Sequence, residues 1–160
     1  MGWWSATILG GDSPLDTLGD IGRIIGNDYD YDDDSKSIFG GHGFTRENVE
    51  GNLSRIVEEF EKQLKKHVEK YPDLEENQSI EYQVLGAICL HVGAKIPAKL
   101  KKRMVLAAEQ DEWLNEEGHG SERWTYIKDF IDKIKAHKPG QKTELAYEGL
   151  FDKFAKMANA

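Results

Sequence analysis

An all-α fold, a single-domain bundle of five or six helices with a short extended N-terminal segment, is what this 160-residue sequence predicts. Three observations predict it. Apolar residues recur at spacings of three and four over most of the chain after Pro14, which is the period of one helix face. No run alternates apolar and polar residues as a half-buried strand would. Glycine and proline punctuate the chain at intervals that leave helices of ordinary size joined by short connections. The length suits one domain, so residues 1–160 are read as a single helical domain with an acidic, glycine-rich loop at 27–44 inside it.

Taken in order, Trp3 to Leu9 mixes aromatic and β-branched residues, reads as extended, and breaks at Gly10-Gly11. Ser13 and Pro14 then open a helix to Ile25, with Leu15, Leu18, Ile21, Ile24 and Ile25 near one face and a stop at Gly26-Asn27. Thr45 caps the longest helix, Arg46 to Lys70, whose apolar residues run Val49, Leu53, Ile56, Val57, Phe60, Leu64, Val68. Tyr71-Pro72 ends it. Ser79 precedes a nearly all-apolar helix, Ile80 to Val92, that closes at Gly93 and reads as the central core element. Pro97 starts another that continues to about Leu114. Ser121 caps a helix bearing Trp124, Ile127, Phe130, Ile131 and Ile134. A last helix is expected from Thr143, carrying Leu145, Leu150, Phe151, Phe154 and Met157.

Charge excludes several function classes. The formal net charge is −8, and residues 1–44 alone hold eight aspartates against Arg23 and Lys36, a balance of −6. Direct nucleic-acid binding needs a basic face, whereas the one dense cationic run is Lys99, Lys101, Lys102 and Arg103. A negative field favours a metal ion, a cationic ligand or a basic protein surface. The single cysteine, Cys89, forms no internal disulfide and cannot supply a multi-sulfur metal site, which fits a reducing cytoplasm. No stretch approaches the roughly 18 apolar residues of a membrane span, and the start lacks the pattern of a signal peptide.

The run Asp28-Tyr29-Asp30-Tyr31-Asp32-Asp33-Asp34 is the feature closest to a chemical site. Closely spaced carboxylates repel one another, so solvent, a cation or a basic partner must compensate them. As a partner-binding tip, the aspartates supply the field and Tyr29 and Tyr31 the apolar contact. As a metal site, Asp28, Asp30 and Asp32 match the first ligand positions of a calcium loop, with His42 handling protons. That match then fails, because the required glycine is Asp33 and the bidentate glutamate position holds Phe39. Gly40-Gly41-His42-Gly43 lacks the Lys-Ser or Lys-Thr of a phosphate loop and reads as a hinge before the long helix.

Elsewhere the residues favour structure over chemistry. Glu112/Glu116 and Glu144/Glu148 are each one helical turn apart, but a di-iron bundle needs a Glu-x-x-His pair on each of two helices, and the single such pair, Glu116-x-x-His119, runs through the break at Gly118, so a di-iron bundle is excluded. Cys89 and His91 fall roughly 200° apart around a helix and cannot share a metal. No hydrolase elbow, zinc-protease or kinase signature occurs. No catalytic set is legible, and no cofactor is expected beyond a divalent cation in the metal reading. Trp3-Trp4 is expected to dock on the protein's own helices, with a homo-oligomer joined through the pair as the other reading. Trp113 and Trp124 are expected to brace two helices.

The opening, Met1-Gly2-Trp3-Trp4 through Ile8, with Asp12, Leu15-Asp16 and Leu18-Gly19-Asp20, resembles the start of a family of small bacterial and phage proteins beginning Met-Gly-x-Trp. That resemblance implies a small cytosolic helical protein of the immunity or phage counter-defence kind. The combined expectation is an acidic cytosolic interaction protein that binds and neutralises a basic protein partner, with a divalent-metal-binding hydrolase or ligand-binding protein as the alternative.

Overall fold

The computed structural model describes residues 3, 5–35, 37–73, 78–118, 120–148, 155, 157 and 158. Among the described residues six helices are bounded: α1 Asp12–Ile25, α2 Arg46–Lys70, α3 Ser79–Val92, α4 Ala98–Glu109, α5 Glu112–Glu117 and α6 Glu122–Ala136, and residues 155, 157 and 158 are helical as well. The described residues form no named strand, only an isolated antiparallel bridge between Trp3 and Gly11. No helix among them is long and apolar enough to cross a membrane.

α3 is the centre, as its composition predicts. Eleven of its residues are buried, among them Tyr82, Val84, Leu85, Ile88, Cys89 and Leu90, and it packs against α1, α2, α4 and α6. A helix apolar all round has no solvent face to offer, so its neighbours must surround it. Gly86 allows the closest approach: a Cβ there would stand 2.6 Å from Cζ of Phe130 on α6. Cys89 lies wholly inside, where burial pushes its thiol up to about 12.

The caps explain where the helices begin and end. Thr45 and Asn48 make a reciprocal capping box at the start of α2. α1 stops at Gly26, in the left-handed conformation at φ 90°, whose N–H donates to Gly22 and Arg23 carbonyls while Asn27 N–H also donates to Gly22. Gly93 closes α3 in the same way at φ 72°. α2 buries Val49, Leu53, Ile56 and Phe60, yet Val68 is exposed. At 25 residues α2 is about 37 Å long and outruns the 14-residue helices it packs on, so its last turns overhang the core.

Two expected helices differ. The one predicted from Pro97 to Leu114 is broken at Gln110, because Asp111 turns its carboxylate to the N–H of Leu114 and starts α5 afresh. No helix begins at Thr143: residues 141–148 form an irregular strap with neither helix nor strand. Thr143 N–H donates to Leu90 O and Gly140 N–H to Gly93 O, each at 2.8 Å, so the strap and the turn just ahead of it satisfy carbonyls at the end of α3 that lack helical partners. Leu145 and Tyr147 pack against the core from it. Leu150, Phe151 and Phe154 of the expected last helix lie outside the described residues, and Met157 is exposed.

The N-terminal segment folds back between Trp3 and Gly11 and buries Ala6, Thr7, Ile8 and Leu9. It is tied to the strap, since Ser5 Oγ donates to Glu148 O at 2.9 Å and Glu148 N–H donates to Thr7 Oγ1 at 3.3 Å.

Candidate functional site

The acidic loop leaves the C-terminus of α1 and returns to the cap of α2. Asp28, Asp30, Asp32, Asp33 and Asp34 are all exposed on one short stretch. The stretch is shaped by its own carboxylates. Asp30 Oδ1 accepts from Asp32 N–H at 2.9 Å, and Asp33 Oδ1 accepts from Ser35 N–H at 2.7 Å. Asp33 Oδ2 reaches across the loop to Gly41 N–H at 3.0 Å, and Asp30 N–H donates to Gly41 O at 2.8 Å. Asp30 and Asp33 therefore shape the loop, while the side chains of Asp28, Asp32 and Asp34 make no hydrogen bond or ion pair among the described residues. No lysine or arginine among them pairs with any of the five.

An aromatic stack carries this loop. Tyr31, 88% exposed, meets Tyr29 edge-on at 4.8 Å between ring centroids, and Tyr29 meets His42 edge-on at 4.9 Å. His42 stacks on Phe44 at 5.4 Å, Phe44 meets Phe39 at 6.5 Å, and Phe39 stacks on His91 of α3 at 4.4 Å. His91 in turn contacts Glu144 of the strap. The stack passes over Gly41, which lies at φ 83° and where a Cβ would stand 2.6 Å from Tyr29 Cζ. Glycine there supplies both the left-handed turn and the space under the tyrosine.

His42 belongs to this stack, and its ring makes no hydrogen bond to an aspartate. Burial lowers its pKa from the ordinary 6.5, so the ring is neutral at pH 7. The metal reading places Asp28, Asp30, Asp32 and His42 together, but no group of three or more His, Cys, Asp or Glu among the described residues could hold a metal ion. Glu144 and Glu148 stand on the strap instead of a helix, with Glu144 turned to His91.

Neither spacing nor motif singles out a second charged centre. Arg123 of α6 is fully buried and places all its donors. Nε donates to Asp111 Oδ1 at 3.2 Å and Nη2 to Asp111 Oδ2 at 2.8 Å, a bidentate pair. Nη2 also donates to Gln83 Oε1, and Nη1 to the carbonyls of Ala6 and Thr7 at 3.1 and 2.9 Å. Gln83 Nε2 closes the network on Asp111 Oδ2 at 2.9 Å. Burial pushes the Asp111 carboxyl up, but the Arg123 hydrogen bonds and charge, with those of Gln83 and Leu114 N–H, outweigh it and hold the pKa below 3.8. The guanidinium lies 4.7 Å from the Trp3 ring centre and 5.7 Å from that of Trp113. Trp3 thus docks on the protein's own helices, and Trp113 braces it. Trp4 lies outside the described residues. The network joins the N-terminal segment, α3, α5 and α6, and its saturation gives it an architectural role.

No protein-family model matches the chain, and neither a curated protein nor a solved structure matches it significantly.

Proposed function

We propose that the protein is an acidic interaction module whose 28–34 loop docks on a basic protein surface and neutralises it. The observation that carries this reading is the loop itself: five exposed carboxylates on a stretch shaped by hydrogen bonds, beside two exposed tyrosines, with no pairing lysine or arginine of the chain among the described residues. A field of one sign that no described lysine or arginine pairs with accelerates encounter with a surface of opposite sign. Tyrosines at such a tip add contact area at low entropic cost. The resemblance of the N-terminus to small bacterial and phage proteins suggests an immunity or counter-defence partner.

Poly-lysine serves as the test surface. Replacing Asp28, Asp30, Asp32, Asp33 and Asp34 with asparagine preserves acceptors for the loop's turns and removes its charge. At low salt, affinity measured by calorimetry is expected to fall about tenfold or more. A control carrying amides at Glu47, Glu58, Glu69, Glu109 and Asp132, five exposed acids elsewhere, should keep affinity within about threefold of the parent. Equal losses in both variants would reduce the loop to a contributor of net charge and end the proposal.

A further inference from the structure

At the other end of α1 lies a cleft of about 750 Å³ whose walls include Trp3, Trp113, Glu112, Glu116, Glu117 and Glu122. Trp3 is bridged to Gly11, just ahead of α1, whereas the acidic loop follows its last turn; the helix between them spans about 21 Å. The two indoles meet edge-to-face at 5.6 Å. Their π-systems attract cations, and the chain already uses them so, with Arg123, which also lines the cleft, held against both. That arginine does not oppose a second cation, because Asp111 neutralises it and its donors are engaged. The four glutamates are exposed, and their side chains make no ion pair or hydrogen bond among the described residues. No basic residue stands in the last turn of α5, so Glu116 and Glu117 crowd a helix end that disfavours anions.

We propose that this cleft binds an arginine side chain presented by a basic peptide. Its volume falls in the range of about 300–1,000 Å³ typical of ligand sites. Indole walls with carboxylates at the mouth suit a guanidinium better than an ammonium, since the planar group stacks on the rings while its edge donates a fork of hydrogen bonds to carboxylate oxygens. The site shares no residue with the 28–34 loop and stands independently of the function proposed for it.

The test uses hexaarginine amide and the full chain, with calorimetry for affinity and tryptophan emission for location. Saturable heat accompanied by a change in emission is expected. In the variant E112Q/E116Q/E117Q/E122Q, whose altered side chains are exposed and whose fold is checked by circular dichroism, affinity should drop about tenfold or more. In the loop variant D28N/D30N/D32N/D33N/D34N it should stay within about threefold, and hexalysine should bind the parent at least about threefold more weakly than hexaarginine. Absence of saturable heat, unchanged affinity in the glutamine variant, or loss confined to the loop variant would overturn the site, the last by moving the peptide to the loop. Equal affinity for the two peptides would overturn its assignment to arginine.

Discussion

Asp111 and Asp33 are both aspartates with both carboxylate oxygens engaged, and they serve different ends. Asp111 takes Leu114 N–H and Arg123 Nε on one oxygen and Arg123 Nη2 and Gln83 on the other, in a site almost closed to solvent. Asp33 takes Ser35 N–H on one oxygen and Gly41 N–H on the other, in full view of water. The bonds are of similar length, so geometry does not separate the two. Solvent does. A buried carboxylate deprived of its cation has no water to turn to, whereas an exposed one that loses a hydrogen bond regains it from solvent. The Asp111 network is therefore expected to govern stability, and the Asp28–Asp34 loop to govern encounter.

The sharpest way to break this contrast is Arg123→Met. The substitution leaves the Asp111 charge buried without a counterion and strips donors from the carbonyls of Ala6 and Thr7. Removing one partner of a buried pair costs about 3–5 kcal/mol, because the remaining charge is stranded. Urea unfolding followed by circular dichroism at pH 7 reads it directly. A loss below about 1 kcal/mol would mean that water reaches the site and that the buried and exposed carboxylates do not differ in kind.

Acid sharpens the same comparison with a smaller effect. The folded pKa of Asp111 lies below its ordinary 3.8, so its contribution to stability is complete above that value and fades as pH falls toward the lower folded value. In Arg123→Met the sign reverses. Burial, the largest influence on Asp111, is then opposed only by the Gln83 and Leu114 N–H hydrogen bonds, so its pKa is expected to rise above the unfolded value, and protonation relieves the stranded charge. The stability gap between parent and variant should therefore narrow steadily as pH is lowered from 7 toward 3 in parallel urea titrations. A gap of constant width would show that Asp111 does not carry the coupling.

The two regions also differ in how far the sequence betrays them. The loop is legible because its signal is local: consecutive aspartates, glycines and an absence of helical period between Ile25 and Thr45. The helices with strong apolar stripes and clear stops are equally open, α2 from Thr45 to Lys70 and α3 up to Gly93. The Arg123 network is hidden because its members come from positions 6, 7, 83, 111 and 123, and nothing in one stretch announces that an arginine beside Trp124 turns inward. The only local hint is Asp111 followed by Glu112, an N-cap pattern inside what reads as one continuous helix. The strap at 141–148 is hidden for a related reason. Its apolar spacing suits a helix, but the carbonyls at the end of α3 compete for its N–H groups, and that competition exists only in three dimensions.

The smallest expected effect gives the contrast its other half. Replacing Asp28, Asp30, Asp32, Asp33 and Asp34 with asparagine removes five charges from a protein whose net charge is −8, yet urea unfolding at pH 7 should place the variant within about 0.5 kcal/mol of the parent. The amides introduced at positions 30 and 33 keep an oxygen for the backbone N–H groups of residues 32 and 35. The hydrogen bond from Gly41 N–H to the residue-33 side chain is lost to solvent, because the amide presents an NH2 donor where the second carboxylate oxygen stood, while relief of repulsion between neighbouring carboxylates acts in the opposite direction. These two changes are of similar size at an exposed site and largely cancel. A loss above about 1.5 kcal/mol would assign the aspartates to holding Gly41 under Tyr29 and the aromatic stack in place. The loop would then be an architectural element like the Arg123 network, and its exposed charge a by-product of that role.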